Sequence, residues 1–593
     1  MIEPRVYRAA FVPALLVLVL AAFSLESRPR PLPQGLAADV LFDGNLAAQS
    51  ATDIAERHPD RSVGTLGDLA SAREVARQLG RRGFHVERQR FARDGKDMVN
   101  VVGRRAGRSQ RQIAIVAARD ARGVPDAIGS AADTAALLEF ARVFEGRPTR
   151  KTLVLGSVDG STLGDVGTEK LVGELGDPSK IDAVLVMSDL ASREDRGPLV
   201  VPWSGDTRRA GIGLQRTVND SIHQELSRRV GTTGVFGQVA RLSLPIGIGA
   251  QGVLLDNGYD AVRISGSGEL PPDGPDGADR IDRDKLGGLG RGTLRTVTAL
   301  DQGKAPEQGP GSYIQAVSQI MPDWIVAVLA LTLLLPALVA VVDAFARARR
   351  RKRPVGPWFR WLAVYLGPLL AGLLLAALLG LAGATPEPPP APPAPDFYPL
   401  DGSTLIVLLA IAALVAVLTW AARFVTLRSH AALADRSAPG AAVAACLAMC
   451  VATLVLWFLN PYASLMLVPA GHFWLLAVLS DPAPPRRARL VLVGLGTVPP
   501  LLVALYWLLA LSVDPVSGAW YLLLLVTGGA VGLPTVLVGC VVLATLAMVV
   551  SVARAEADEP PPRPAEKRPP VYGPGAHAGP GSLGGTKSAL DPR

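Results

Sequence analysis

Two hydrophobicity patterns divide the chain. Between residues 26 and 301, short and nearly continuous apolar runs alternate with stretches of helical periodicity. The runs predict strands over 84–91, 98–105, 111–118, 151–159, 182–190 and 260–265. The periodic stretches predict helices over 68–83, 131–146, 220–230 and 282–301. Runs such as "KTLVLGSVD" (151–159) are apolar on both faces, as in a sheet covered by helices on both sides. The expected fold is an α/β three-layer sandwich with a mostly parallel mixed sheet.

Outside this segment the apolar runs lengthen. They cover 9–25, 324–346, 359–383, 403–422, 439–459, 463–480, 488–512 and 518–551. A helix crossing a hydrocarbon core needs about 20 apolar residues, so each run is a candidate span. The last contains Gly528, Gly529, Gly532 and Pro534 and is read as one kinked crossing, because a basic tail follows it. That makes eight transmembrane helices, one before the α/β segment and seven after it, beside a polytopic α-helical membrane domain. Arg5 and Arg8 precede the first run, and the segments 347–353, 423–436 and 481–489 are basic. The segments 385–401, 460–462 and 513–518 are not. By the positive-inside rule both termini are cytoplasmic and residues 26–320 are extracellular. The expected organisation is a signal anchor (1–25), an exported α/β domain (26–301), a linker (302–323), a helical membrane domain (324–551) and a disordered Pro- and Gly-rich tail (552–593).

Composition agrees with a membrane protein. Hydrophobic residues make up 49% and charged residues 19% of the chain. Much of the net charge of +8 comes from arginines flanking apolar runs, which points to a membrane and away from nucleic acid. The three cysteines, Cys446, Cys450 and Cys540, all lie in apolar runs, so the α/β segment has neither disulfide nor thiolate metal site. Its histidines, His58, His85 and His223, are far apart in sequence. The Ala-, Arg- and Pro-rich composition suggests a bacterial protein of the plasma membrane.

Several ordered pieces of residues 50–300 resemble the zinc aminopeptidase family, the twenty-eighth metallopeptidase family. They are "MVNVVGRRAG", "GSAADTAALLEFARVF" and "KTLVLGSVDGSTLGDVGTEKLV", preceded by the helix and strand of "GDLASAREVARQLGRRGFHVE". The resemblance implies two zinc ions held by histidines and carboxylates, with a glutamate as general base. The family's "AHYD" reads "AARD" here, with Ala118 for the histidine and Asp120 retained. Its bridging aspartate aligns with Gly129, and Asp133, one turn later, is expected to cap or to face solvent. Its paired glutamates align with Ser161 and Thr162. A later aspartate is retained as Asp189, and the last histidine aligns with Gln251. The base position aside, two of six positions thus keep a suitable group, which implies no zinc site, and with the base replaced by a hydroxyl the resemblance implies no catalytic residues.

The retained groups have plainer readings. Ser161 is expected to cap the helix that follows it. Asp120 and Asp189 either cap turns or pair with arginines such as Arg119 and Arg122, or they mark a vestigial cation site. His472, inside an apolar run, is either a functional intramembrane group or a hydrogen bond between helices. The whole arrangement resembles the Gaa subunit of the glycosylphosphatidylinositol transamidase, whose peptidase-like fold serves binding and assembly. The expected function is therefore non-catalytic: the exported domain binds a peptide, a lipid-linked ligand or a protein partner, among membrane lipids. The alternative is a membrane-anchored aminopeptidase with atypical zinc ligands.

Overall fold

The structure, a computed structural model, describes the chain except residues 1–2, 34–40, 195, 198, 228–230, 274–275, 317–318, 387, 430–438 and 556–593. Most of the tail expected to be disordered therefore lies outside the described residues. In chain order the strands are β1 (Glu26–Ser27), β2 (His85–Arg93), β3 (Lys96–Arg105), β4 (Ser109–Ala118), β5 (Lys151–Val158), β6 (Ile181–Ser188), β7 (Val200–Val201), β8 (Ala261–Ser265), β9 (Tyr313–Gln315) and β10 (Gln319–Pro322).

β2 to β8 form one mixed sheet of seven strands, in the order β2-β3-β5-β4-β6-β8-β7. Its centre, β5-β4-β6-β8, is parallel, and antiparallel strands flank it on both sides. β5, β6 and β8 are buried along most of their length and β4 over Ile113–Ala117, which explains their apolar runs. Gly103 faces Leu79 of the helix Leu66–Arg81, while Gly156 on the neighbouring strand faces Leu171 of Val166–Leu175. Gly103 pairs with Leu155, so Gly103 and Gly156 point to opposite faces and the two helices cover opposite sides. The helices Gly44–Arg57, Ala132–Phe144, Ile212–Leu226 and Arg283–Gln302 extend the first layer, and Ala250–Asp256 joins the second. This is the expected three-layer sandwich.

Two regions differ from the pattern-based reading. Residues 302–323 contain β9 and β10, which form a three-stranded antiparallel sheet with β1, in the order β1-β10-β9. The apolar run 518–551 forms two helices, Pro515–Thr527 and Leu533–Arg554, rather than one kinked crossing. Gly528, Gly529 at φ +75° and Gly532 separate them, and Pro534 begins the second. The first has 13 residues, about 20 Å at the helical rise and too short to span a bilayer alone. Among the described residues, eight helices are long and apolar enough to cross a membrane: Pro4–Phe23, Asp323–Arg350, Trp358–Leu381, Gly402–Phe424, Pro439–Leu459, Pro461–Leu479, Arg486–Ala510 and Leu533–Arg554.

The helical region and the α/β domain share buried contacts. Helix Val235–Ser243 packs on Pro461–Leu479 and Arg486–Ala510. Asn460 caps Pro461–Leu479 by accepting from Tyr462 N and Ala463 N, and its Nδ2 donates to Leu242 O at 2.7 Å. Ser312 donates to the Tyr462 hydroxyl at 2.9 Å.

Candidate functional site

A pocket of about 110 Å³ lies beyond the C-terminal ends of β4, β5 and β6, where open α/β sheets place their ligands. Six acids line it: Asp120, Asp126, Asp133, Asp165, Asp189 and Glu269. Among the described residues, Arg122 and Arg263 are its two cations, and no histidine lines it. Charged residues from four chain segments therefore converge on one small, acidic cavity.

Asp120 follows β4 and is buried. Its Oδ1 accepts from Ser161 N at 3.0 Å, and its Oδ2 accepts from Thr162 N and Thr162 Oγ1, both at 2.9 Å. The retained carboxylate thus caps the short turn Ser161–Leu163, and the two substituted positions are its donors. Burial raises the Asp120 pKa, the Asp159 charge adds to that, and the bonds from Ser161 and Thr162 offset part of it. Ser161 does not cap the following helix, contrary to expectation. The N-cap of Val166–Leu175 is Asp165, in a left-handed conformation at φ +61°.

Asp133 neither faces solvent nor caps its own helix. It is buried and accepts from Asp189 N at 2.8 Å and Leu190 N at 3.0 Å, which fixes the backbone leaving β6. Burial, then the Asp189 charge, pushes its pKa well above the usual range. Asp189 sits at φ +52° and accepts from Ser188 Oγ at 2.8 Å and Ser267 Oγ at 3.2 Å. Its own pKa is raised, chiefly by burial.

Gly129 lines up with the bridging aspartate in sequence, but another acid fills its space. A Cβ on Gly129 would stand 2.3 Å from Asp126 Oδ1 and 3.2 Å from Asp189 Oδ1. Asp126 is held there by accepting from Ser130 N and Arg122 N, both at 3.2 Å. Gly129→Asp is therefore expected to destabilise the protein by roughly 2–3 kcal/mol, through overpacking and a further buried charge, rather than restore a bridging ligand. A thermal melt of the full chain reads this, and an unchanged Tm would refute it.

Ala118 presents only a methyl group to the pocket. Gln251 is fully buried in helix Ala250–Asp256, where its Nε2 donates to Ile248 O at 2.8 Å and Trp203 O at 3.3 Å. It is not among the lining residues. Asp120 and Asp189, retained by the resemblance, do line the same pocket, together with Ala118, Ser161 and Thr162.

Sequence reasoning missed Asp126, Asp165, Arg263 and Glu269. Arg263 carried a usable signal: a guanidinium inside the apolar strand "DAVRIS" has to find partners or a cavity. It is buried, its Nη2 donates to Glu269 O at 2.7 Å, and its Nε is enclosed without an acceptor. Asp165 is pushed up to about 7 by burial, partly offset by the Arg263 charge. An unfolded aspartate ionises near pH 4, so the native state holds this proton more tightly. Stability from Asp165 therefore falls as pH rises from about 4 to about 7 and is flat above. Asp165→Asn is expected to flatten that slope and to stabilise the protein by on the order of 1 kcal/mol at pH 8. Melting temperatures across pH 5–8 check both.

The donor set does not fit a dinuclear zinc centre. Among the described residues, no three His, Cys, Asp or Glu side chains are grouped to hold a metal. The retained carboxylates are turned to backbone amides and hydroxyls instead.

His472 lies in helix Pro461–Leu479, away from the pocket. Its Nε2 is 2.8 Å from Leu333 O, which can only accept, so Nε2 carries the proton. Its Nδ1 then accepts from the Tyr7 hydroxyl at 2.7 Å, and its ring stacks on Phe11 at 5.4 Å. Both ring nitrogens join helices: one binds Asp323–Arg350, the other the N-terminal span.

No family model matches the chain, and no curated protein matches it. Solved structures similar to it include a glutaminyl cyclase from an Acidobacteriales bacterium, 16% identical over 46% of this chain and 99% of that one, with a TM-score of 0.35. A leucine aminopeptidase precursor from Bacteroides thetaiotaomicron is 15% identical over 45% of this chain and 99% of that one, at 0.34. A zinc aminopeptidase from Bacillus subtilis is 12% identical over 47% and 99%, at 0.36.

Proposed function

We propose that the chain is a multi-pass plasma-membrane protein whose α/β domain binds a ligand or partner and performs no peptidase chemistry. The observation that carries this reading is the Asp120 carboxylate, which is spent on Ser161 and Thr162 in an internal turn. A carboxylate committed to two amides and a hydroxyl is a poor metal ligand, and hydroxyls in the base positions do not take a proton near neutral pH. The domain faces the exterior in this reading, with both termini in the cytoplasm. The ligand is a peptide, a lipid-linked molecule or a protein partner, and the arrangement that resembles the Gaa subunit favours a role in assembly.

The test is turnover by the full chain in mild detergent, with added zinc, on aminoacyl anilides and on peptides with N-terminal glutamine. No turnover above the blank is expected. Turnover that disappears in Asp120→Asn would replace this reading with a metallopeptidase using atypical ligands.

A further inference from the structure

The wall of the pocket that does not belong to the α/β domain comes from the helical region. Pro392, Pro393, Ala394 and Phe397 line the pocket, and all lie in the loop joining helices Trp358–Leu381 and Gly402–Ser429. The loop is seated at several points. Ala391 N donates to Gly164 O at 3.1 Å, in the turn just after Ser161 and Thr162. Arg93 on β2 donates to Pro388 O. From helix Pro515–Thr527, the Tyr521 hydroxyl donates to Pro393 O at 2.8 Å, and Trp520 Nε1 donates to Tyr398 O at 3.1 Å.

The seat is shaped for this segment. Gly164 has φ +73°, and a Cβ there would stand 2.2 Å from Pro389 Cβ and 2.8 Å from Ala391 O. Ala391 and Ala394 are buried. Ala394 clusters with Ile248 and Leu270 of the domain and with Trp507 and Tyr521 of the helical region. At φ −61° and ψ 144°, Ala394 has polyproline II geometry. A proline-rich chain is already extended before it docks, so it loses little entropy on binding. Helix Pro515–Thr527, too short to span a membrane alone, contributes two of the holding bonds.

We propose that residues 388–397 are a self-bound strap that gates the pocket, which opens to large ligands only when the helical region draws the strap off Gly164. The gate operates whatever the pocket does with its ligand, so loss of the binding reading leaves it standing. It couples the arrangement of the helices to the accessibility of Asp120, Asp165 and Arg263.

The test uses the full chain in native membranes, with Cys446, Cys450 and Cys540 replaced by alanine and a reporter thiol at Ala118→Cys. Its labelling by a bulky fluorescent maleimide is followed, with exposed Glu56→Cys as reference. The strap is released in two ways: from its own side by Pro389→Gly, Pro392→Gly and Pro393→Gly together, and from the domain side by Gly164→Ala. Tyr521→Phe, which removes one bond and little volume, is the mild third variant and keeps the test valid if Gly164→Ala misfolds. With the strap intact the pocket thiol is expected to react slowly. Each release variant is expected to speed it by about tenfold or more, Tyr521→Phe by less, with the Glu56→Cys rate unchanged. A pocket thiol as fast as Glu56→Cys in the intact chain, or one that no variant accelerates, would overturn the proposal.

Discussion

Arg119→Met is expected to destabilise the full chain by about 3–5 kcal/mol, one of the two largest losses from a single substitution. Arg119 is fully buried, with Nε 2.9 Å from Asp68 Oδ1 and Nη2 3.0 Å from Asp159 Oδ2. One guanidinium thus serves two buried carboxylates. Burial pushes Asp159 up to about 7, the Arg119 charge pulls it back, and the adjoining Asp68 raises it again. Methionine fills much of the same volume but leaves both acids without a counter-charge. Without the Arg119 charge that pulls it back, the Asp159 carboxyl is raised further, so the loss is expected to grow from pH 5 to pH 8. Because Asp159 directly follows β5 and its Oδ1 accepts from Gly160 N at 2.8 Å, the damage should reach the turn that Asp120 caps. Thermal melts at the two pH values measure this, and a loss below about 1 kcal/mol would contradict it.

The second large effect lies where the domain meets the helices. Arg241 pairs through Nη1 with Glu269 Oε1 at 2.7 Å, and through Nη2 with Oε2. Its Nε donates to the Tyr506 hydroxyl at 2.7 Å, and its guanidinium lies 5.0 Å from the Trp507 ring and 5.3 Å from that of Trp203. Arg241→Met strands a buried Glu269 that also lines the pocket, at a cost of about 3–5 kcal/mol. The double variant Arg241→Met with Glu269→Met removes the stranded charge and should recover most of that loss. Melting temperatures of the two singles and the double give the coupling. Additive losses would mean that the pair does not act as a unit.

How much was legible depends on how each element is stabilised. Strands β4, β5, β6 and β8 were read within about two residues of their ends, because burial on both faces leaves an apolar run with no alternative use. Helix Ile212–Leu226 was expected only from residue 220, since its first turns carry glycine and polar residues that break the stripe. Helices Val235–Ser243 and Ala250–Asp256 went unread because they are short and interrupted by glycine. β1 and β10 are two and four residues long, and they pair across almost the whole domain. No local pattern marks such a contact. In the site, the substitutions at Ala118, Gly129, Ser161 and Thr162 were visible through the resemblance. The use made of Asp120 was not, because it depends on amides brought from β5's far end. Asp126 and Asp165 stand at left-handed positions in loops, where periodicity carries no information. The strap lies in the segment 385–401, which the sequence marks only as a loop that is not basic, and its seat on Gly164 is purely tertiary.

Metal stoichiometry tests the central claim most directly. The full chain, purified in mild detergent, loaded with zinc and dialysed, is measured for bound metal by elemental mass spectrometry beside Asp120→Ala and Asp189→Ala. If the pocket's carboxylates are committed to capping its own turns, zinc stays far below one ion per chain and the two substitutions leave it unchanged. Retention of about two zinc ions per chain, lost in either variant, would contradict the account.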